Sequence, residues 1–221
     1  DVYKRQKQEY SRNSAKSSSL PDLRKYPSGT PRKKAFLRTV MPYITSQNAA
    51  ITAERNWLIS KQYQGQWSPA ERARLKDIAK RYKVKWSGNT RKIPWNTLLE
   101  RVDIIPTSMV ATMAAAESGW GTSKLARNNN NLFGMKCMKG RCTNAPGKVK
   151  GYSQFSSVKE SVSAYVTNLN THPAYSSFRK SRAQLRKADQ EVTATAMIHK
   201  LKGYSTKGKS YNNYLFAMYQ D

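Results

Sequence analysis

The chain has 221 residues, with 40 Lys and Arg against 13 Asp and Glu, a net charge of +27 and a hydrophobic share of 38%. That length holds one sizeable domain plus extensions, and the modest apolar share leaves part of the chain outside a core. No apolar run approaches the roughly 18 residues of a membrane span, and the charge calls for an anionic partner. The signatures of nucleic-acid binding are missing: no Cys/His finger spacing, no basic region leading into heptads, no aromatic RNA-binding strand motif. Nucleic acid, an acidic lipid surface and an anionic cell wall all suit the charge, which by itself does not choose among them; without a binding element, no nucleic-acid partner is expected.

The first residue is Asp1, and the chain reads as either a processed form or an excised piece, with no signal peptide in it. Residues 1–33 are rich in Ser, Lys, Arg and Pro and read as a flexible basic segment, either a solvated linker or an electrostatic tether. Residues 36–64 read as one long helix or two shorter ones. Leu37, Val40, Ile44, Ile51, Trp57 and Leu58 form its stripe, with Pro42 a candidate helix start. Ser68-Pro69-Ala70-Glu71 predicts a capping box and a helix to about Tyr82. Asn96 is expected to cap a short helix, and Pro106-Thr107-Ser108 to open one that ends near Ser118 with Gly119 past its end. Asn128–Asn131 reads as a loop. Residues 132–155 read as strand and hairpin around Lys139-Gly140. Ser157–Glu160 predicts a second capping box. Asp189 is expected to cap a further helix, with Glu191 in its first turn, and Tyr211–Tyr219 to form the last. The fold class is thus α+β, predominantly helical, with one small β-hairpin.

Cys137 and Cys142 flank the Lys139-Gly140 turn and can reach disulfide geometry, which implies an oxidising compartment. A reduced pair is the alternative. A metal site needs more ligands than His172 and His199 supply at that distance in sequence.

Of the thirteen carboxylates, Asp1, Glu9, Asp22, Glu54, Asp77, Glu100, Asp103, Asp189 and Asp221 have surface, cap or terminal readings. Glu71 and Glu160 fall at the third position of capping boxes, and Glu191 in a first turn. Glu117 follows Val110 and Met113 by seven and four residues, so it points along an apolar stripe. It also sits at a helix C-terminus, where the dipole disfavours negative charge. Burial and dipole together predict a raised pKa, as a general acid requires. The bland alternative is a Glu that turns to solvent or pairs with an Arg. Ser118-Gly119-Trp120-Gly121 and the asparagines then supply glycines, amides and rings. That mixture suits a sugar groove, although Trp120 and Phe133 singly are equally core residues.

Ala-Glu-Ser-Gly-Trp-Gly-Thr-Ser, followed by Asn-Asn-Leu-Phe-Gly-Met-Lys, resembles glycoside hydrolase family 73, the flagellar-muramidase-like glucosaminidases. Leu201–Thr206 and Tyr211 resemble the family's closing motif. The likeness covers about 105–220, and residues 36–104 resemble one subgroup alone. It implies a lysozyme-like glucosaminidase domain at 105–221, preceded by a helical extension at 34–104. It also implies cleavage of the β-1,4 glycan backbone of peptidoglycan in a periplasmic or secreted setting. Glu117 matches the catalytic acid and Tyr204 the tyrosine near the cleaved sugar. Trp120, Asn130, Asn131, Phe133, Tyr152 and Tyr211 are the expected substrate-binding residues, and no cofactor or metal is expected. The family's usual second carboxylate is missing: no Asp or Glu occurs from Ser118 through Lys159, and Glu160 is the next acid. Three schemes remain. The substrate N-acetyl group acts as nucleophile, Glu117 alone drives a lytic transglycosylase reaction, or a weakly active or inactive domain binds glycan.

Overall fold

The computed structural model describes residues 20–201. The expected helix over Tyr211–Tyr219, and Tyr204 and Tyr211 themselves, lie outside the described residues, as do residues 1–19. The fold forms two compact units that interleave along the chain: residues 20–45 with 110–165, and residues 46–109 with 166–201.

Helix α1 (Thr30–Lys61) is one continuous helix with Pro42 inside it, not a helix start. A proline there removes the hydrogen bond to the carbonyl four residues back. Burial on both sides of it offsets that loss: Phe36, Leu37 and Val40 precede it, and Ile44, Ile51 and Leu58 follow, all at most 3% exposed. Of the segment read as flexible, residues 20–33 are folded. Leu23 is fully buried, a short 3-10 helix spans Leu23–Lys25, and Arg32 donates to the Leu23 and Tyr26 carbonyls.

In the second unit, α2 (Pro69–Arg81) starts with the predicted capping box: Ser68 Oγ accepts from Glu71 N, and Glu71 accepts from Ser68 N. Helix α3 (Trp95–Arg101) begins after Pro94 with no side-chain cap, so Asn96 lies within it. Asp103, read as a surface acid, is 1% exposed and ion-paired to Arg55, Arg182 and Arg186. Arg55 and Arg182 also bond carbonyls at and beyond the α3 terminus: Leu99, Glu100, Val102 and Ile104. The Leu99, Glu100 and Val102 oxygens carry the negative end of the helix dipole, which adds to the pull of Asp103 on these cations. Burial alone would raise the Asp103 carboxyl. The Arg186 hydrogen bonds and the charges of Arg182 and Arg55 outweigh it and hold the carboxyl below its ordinary range. Burial pulls the Arg182 guanidinium down to about 10. In the same unit, α7 (defined here as Ser176–Lys187) precedes Asp189, which has a left-handed φ of 55° and caps nothing. The next helix, α8 (Ala194–Met197), is capped by Thr193, so Glu191 precedes it.

In the first unit, α4 (Thr107–Ser118) enters at Val110, α5 (Lys124–Asn129) follows, and α6 (Val158–Thr171) runs as far as Tyr165 within this unit. Asn128 and Asn129, expected in a loop, lie at the end of α5. The expected β-hairpin is not formed. Lys136 and Tyr152 make an isolated antiparallel bridge, closed by Cys137 N to Gly151 O and Ser153 N to Met135 O. The intervening segment holds Gly140, Pro146, Gly147 and Gly151, and Thr143 and Val149 are its β-branched residues, which is poor strand material. Side chains take over from the missing ladder. Asn129 donates to Val149 O and accepts from Val149 N, as a strand neighbour would. Among the described residues, no helix is long and apolar enough to cross a membrane.

Candidate active site

Helix α4 is buried almost all round. Met109, Val110, Ala111, Thr112, Ala114, Ala115 and Ser118 are each fully buried. Past its first turn, only Met113, Ala116 and Glu117 reach solvent. These three share one narrow face by helical spacing. Glu117 is exposed at its C-terminal end, which corrects the expectation that the apolar stripe buries it. The stripe reading failed because Ala and Thr fill the rest of the helix surface, so the solvent face is the narrow one.

The chain leaves α4 through three consecutive left-handed residues, Gly119, Trp120 and Gly121, with φ of 55°, 57° and 79°. Trp120 N donates to Ala115 O at 3.0 Å, the six-to-one bond that closes a helix past a glycine. Buried Ser118 holds the turn: its Oγ donates to Ala114 O and accepts from Gly121 N at 2.8 Å. A Cβ on Gly121 would lie 2.4 Å from Leu23 Cδ1, so any other residue there would force the buried Leu23 side chain to shift as well as strain the backbone. Trp120 itself is 7% exposed and meets Phe36 edge to face at 5.6 Å, with Lys33 over its ring. It packs as a core ring, not as an open sugar platform. Phe133 is likewise 6% exposed and stacks on Tyr165 at 4.1 Å.

The asparagines do structural work. Asn131 is 1% exposed; its Nδ2 donates to Met135 O and Ser153 O, and its Oδ1 accepts from Phe133 N and Met135 N. Both donors and both lone pairs are used, so none is left for a sugar hydroxyl. Asn130, half-buried and left-handed at the end of α5, donates to Phe155 O. Tyr152 is half-buried and pairs with exposed Lys136 in the bridge. Of the expected groove residues among those described, Asn130 and Tyr152 keep open surface, and Trp120, Asn131 and Phe133 do not.

What this scaffold holds in place is Gly134. Its φ is 65°, and a Cβ built on it would lie 3.1 Å from Glu117 Oε2. The Glu117 carboxylate therefore rests against the backbone of the Phe133-Gly134-Met135 turn, and the two halves of the motif meet there. Sequence reasoning passed over Gly134; a glycine between two buried residues, Phe133 and Met135, was the available signal. It also missed the buried Asp103 cluster, for which Arg179, Arg182 and Arg186 on one helix gave a faint cue.

Glu160 is committed elsewhere. Its carboxylate accepts from Ser156 N at 2.7 Å and from the Ser156 hydroxyl, and is ion-paired with Arg141. Ser157 Oγ accepts from Glu160 N, so the capping box is present with its return bond shifted to Ser156. Asp22, the remaining described acid of this unit, is bound by Arg24 at 2.9 Å. Glu117 thus stands exposed, without a second carboxylate offered by the described residues of its unit. Cys137 and Cys142 lie across the turn that Arg141 N to Met138 O closes, with Cα atoms 5.2 Å apart, a span that a disulfide covers. Among the described residues, no group of three or more His, Cys, Asp or Glu could hold a metal ion.

Residues 94–221, more than half of the chain, match the glucosaminidase family model, described as mannosyl-glycoprotein endo-β-N-acetylglucosaminidase. The chain belongs to the glucosaminidase family. This is a family of glycoside hydrolases. The match takes in Glu117, the left-handed turn, the asparagines and Gly134, and extends over Tyr204 and Tyr211. No solved structure matches this glucosaminidase-family chain.

Proposed function

We propose that this glucosaminidase is an endo-β-N-acetylglucosaminidase of peptidoglycan, with Glu117 as general acid. The observation that carries the reading is the meeting of Glu117 with Gly134 at the open end of an otherwise buried helix. A carboxylate held against backbone and open on one side can meet a glycosidic oxygen, which is the geometry a general acid needs. The net charge of +27 favours the anionic wall over a neutral glycan.

With Glu160 engaged by Ser156 and Arg141, the substrate's own N-acetyl group is the favoured nucleophile. Its carbonyl oxygen attacks C1 as Glu117 gives its proton to the departing glycosidic oxygen. Water then opens the cyclic intermediate, returning a proton to the Glu117 carboxylate. By family resemblance Tyr204 is the tyrosine that orients the sugar, with Tyr211 the alternative for that role. Asn130 and Tyr152 line the groove. The site so read is extracytoplasmic, periplasmic or secreted, with Cys137 and Cys142 bridged. Residues 36–104 follow the bacterial Bax-like subgroup, and the basic residues that precede Leu20 draw the enzyme to an anionic surface in a salt-sensitive way.

Purified sacculi incubated with wild type and Glu117→Gln test the reading. Wild type should release soluble muropeptides, and the variant about 100-fold fewer or less. Equally little release from both would leave a glycan-binding module. Mass spectrometry of the ends separates the chemistries: a GlcNAc reducing end supports the proposal, a MurNAc end means muramidase action, and an anhydro end means lytic cleavage.

A further inference from the structure

From Ser118 through Lys159 the chain has no acid, so the surface around Glu117 in this unit is cationic. Several of its cations have structural partners. Arg127 donates to Thr122 O, Lys148 to Asn128 O, and Arg141 pairs with Glu160. Lys136, Lys139 and Lys150 are different: each is exposed, and none has a carboxylate partner among the described residues.

These three lysines lie on one short piece of structure. Lys136 is two residues from Gly134, so their Cα atoms are at most about 7 Å apart, and Gly134 is the residue on which the Glu117 carboxylate rests. Lys136 also faces Tyr152 across the bridge, and directly opposed bridge residues project to the same side. Lys150 precedes Gly151, whose carbonyl accepts from Cys137 N, and Lys139 occupies the turn between the cysteines. The turn, the Cys137–Cys142 approach and the Asn129–Val149 bonds keep this cationic piece in place beside the acid.

Neutral sugar rings offer three such lysines hydrogen-bond acceptors but no opposite charge. Peptidoglycan differs from a plain amino-sugar polymer in carrying, on alternate residues, short peptides with free carboxylates. Resting on the peptidoglycan reading above, we propose that Lys136, Lys139 and Lys150 bind the carboxylates of a stem peptide, so the enzyme selects peptide-bearing over peptide-free glycan. The lysines act on binding, not on bond cleavage.

The test measures binding to the full chain carrying Glu117→Gln, in which turnover is suppressed. The probes are soluble glycan fragments with their peptides, the same fragments with peptide carboxylates amidated, and fragments stripped of peptide. The peptide-bearing fragment should bind about 10-fold more tightly than the other two, from three exposed ion pairs of ordinary strength. That gap should narrow as salt rises. Adding Lys136→Gln, Lys139→Gln and Lys150→Gln should reduce it to less than about 2-fold, and the corresponding Lys→Glu changes should abolish or invert it. Equal binding of all three fragments overturns the proposal, as does a gap that survives the triple substitution. Failure of the wild-type enzyme to cleave sacculi would instead count against the peptidoglycan reading itself.

Discussion

Gly134→Ala isolates the contact on which the site depends. At φ of 65° an alanine pays for a left-handed backbone, about 1–2 kcal/mol. Its Cβ would stand 3.1 Å from Glu117 Oε2 and 3.9 Å from Glu117 Cδ. That is a few tenths of an ångström too close, and the exposed carboxylate can swing aside at small energetic cost. Stability should therefore fall by the backbone term alone, lowering Tm by about 2–8 °C for a chain of this size. Activity should fall further, because a displaced acid misses the glycosidic oxygen; shifts of about 1 Å cost on the order of 100-fold. Gly88→Ala is the control. Gly88 has φ of 91° and nothing within 4 Å of a built Cβ, so it shares the backbone strain and lacks the Glu117 contact. Thermal unfolding and muropeptide release are measured on both variants. A Gly134→Ala enzyme with wild-type turnover, or a Gly88→Ala enzyme equally impaired, would refute the reasoning.

Asp103→Ala should cost about 3–5 kcal/mol in urea unfolding, since it leaves buried arginines uncompensated. The Asp103 carboxyl lies below its unfolded value, so its contribution is present above about pH 4 and lost as pH falls through its folded value; stability of the Asp103→Asn protein should fall less steeply with acid. Asn131→Ala strips four hydrogen bonds from a buried loop. It should destabilise by about 1–3 kcal/mol, and amide exchange at Met135 and Phe133 should speed up. Protein purified from an oxidising compartment should gain the mass of two hydrogens on reduction, and breaking the short Cys137–Cys142 loop should cost no more than about 2 kcal/mol. Unchanged mass would dispose of the bridge.

Local sequence determined a good deal of this protein. Capping chemistry acts over four residues, so Ser68–Glu71, the α4 start at Thr107 and the glycine past its end are legible in place. The spacing of Leu37, Val40, Ile44, Ile51 and Leu58 likewise marks the buried side of α1. Motif resemblance singled out Glu117 and the glucosaminidase family, because reactive groups and their turn residues sit close together in sequence. Where contacts are distant in sequence, tertiary structure decided. Pro42 is tolerated inside α1 because buried residues flank it, a gain that helix propensity does not contain. A hairpin was expected over 132–155, but the side chains of Asn129 at the end of α5 and of Asn131 just past it satisfy that backbone in place of a ladder. Asp103 became a buried hub once arginines some 80 residues later closed on it. The exposure of Glu117 was likewise decided by which faces of α4 its neighbours cover. What brings its carboxylate to Gly134 is the left-handed turn and the saturated amide of Asn131, contacts that exist only once the chain has folded back on itself.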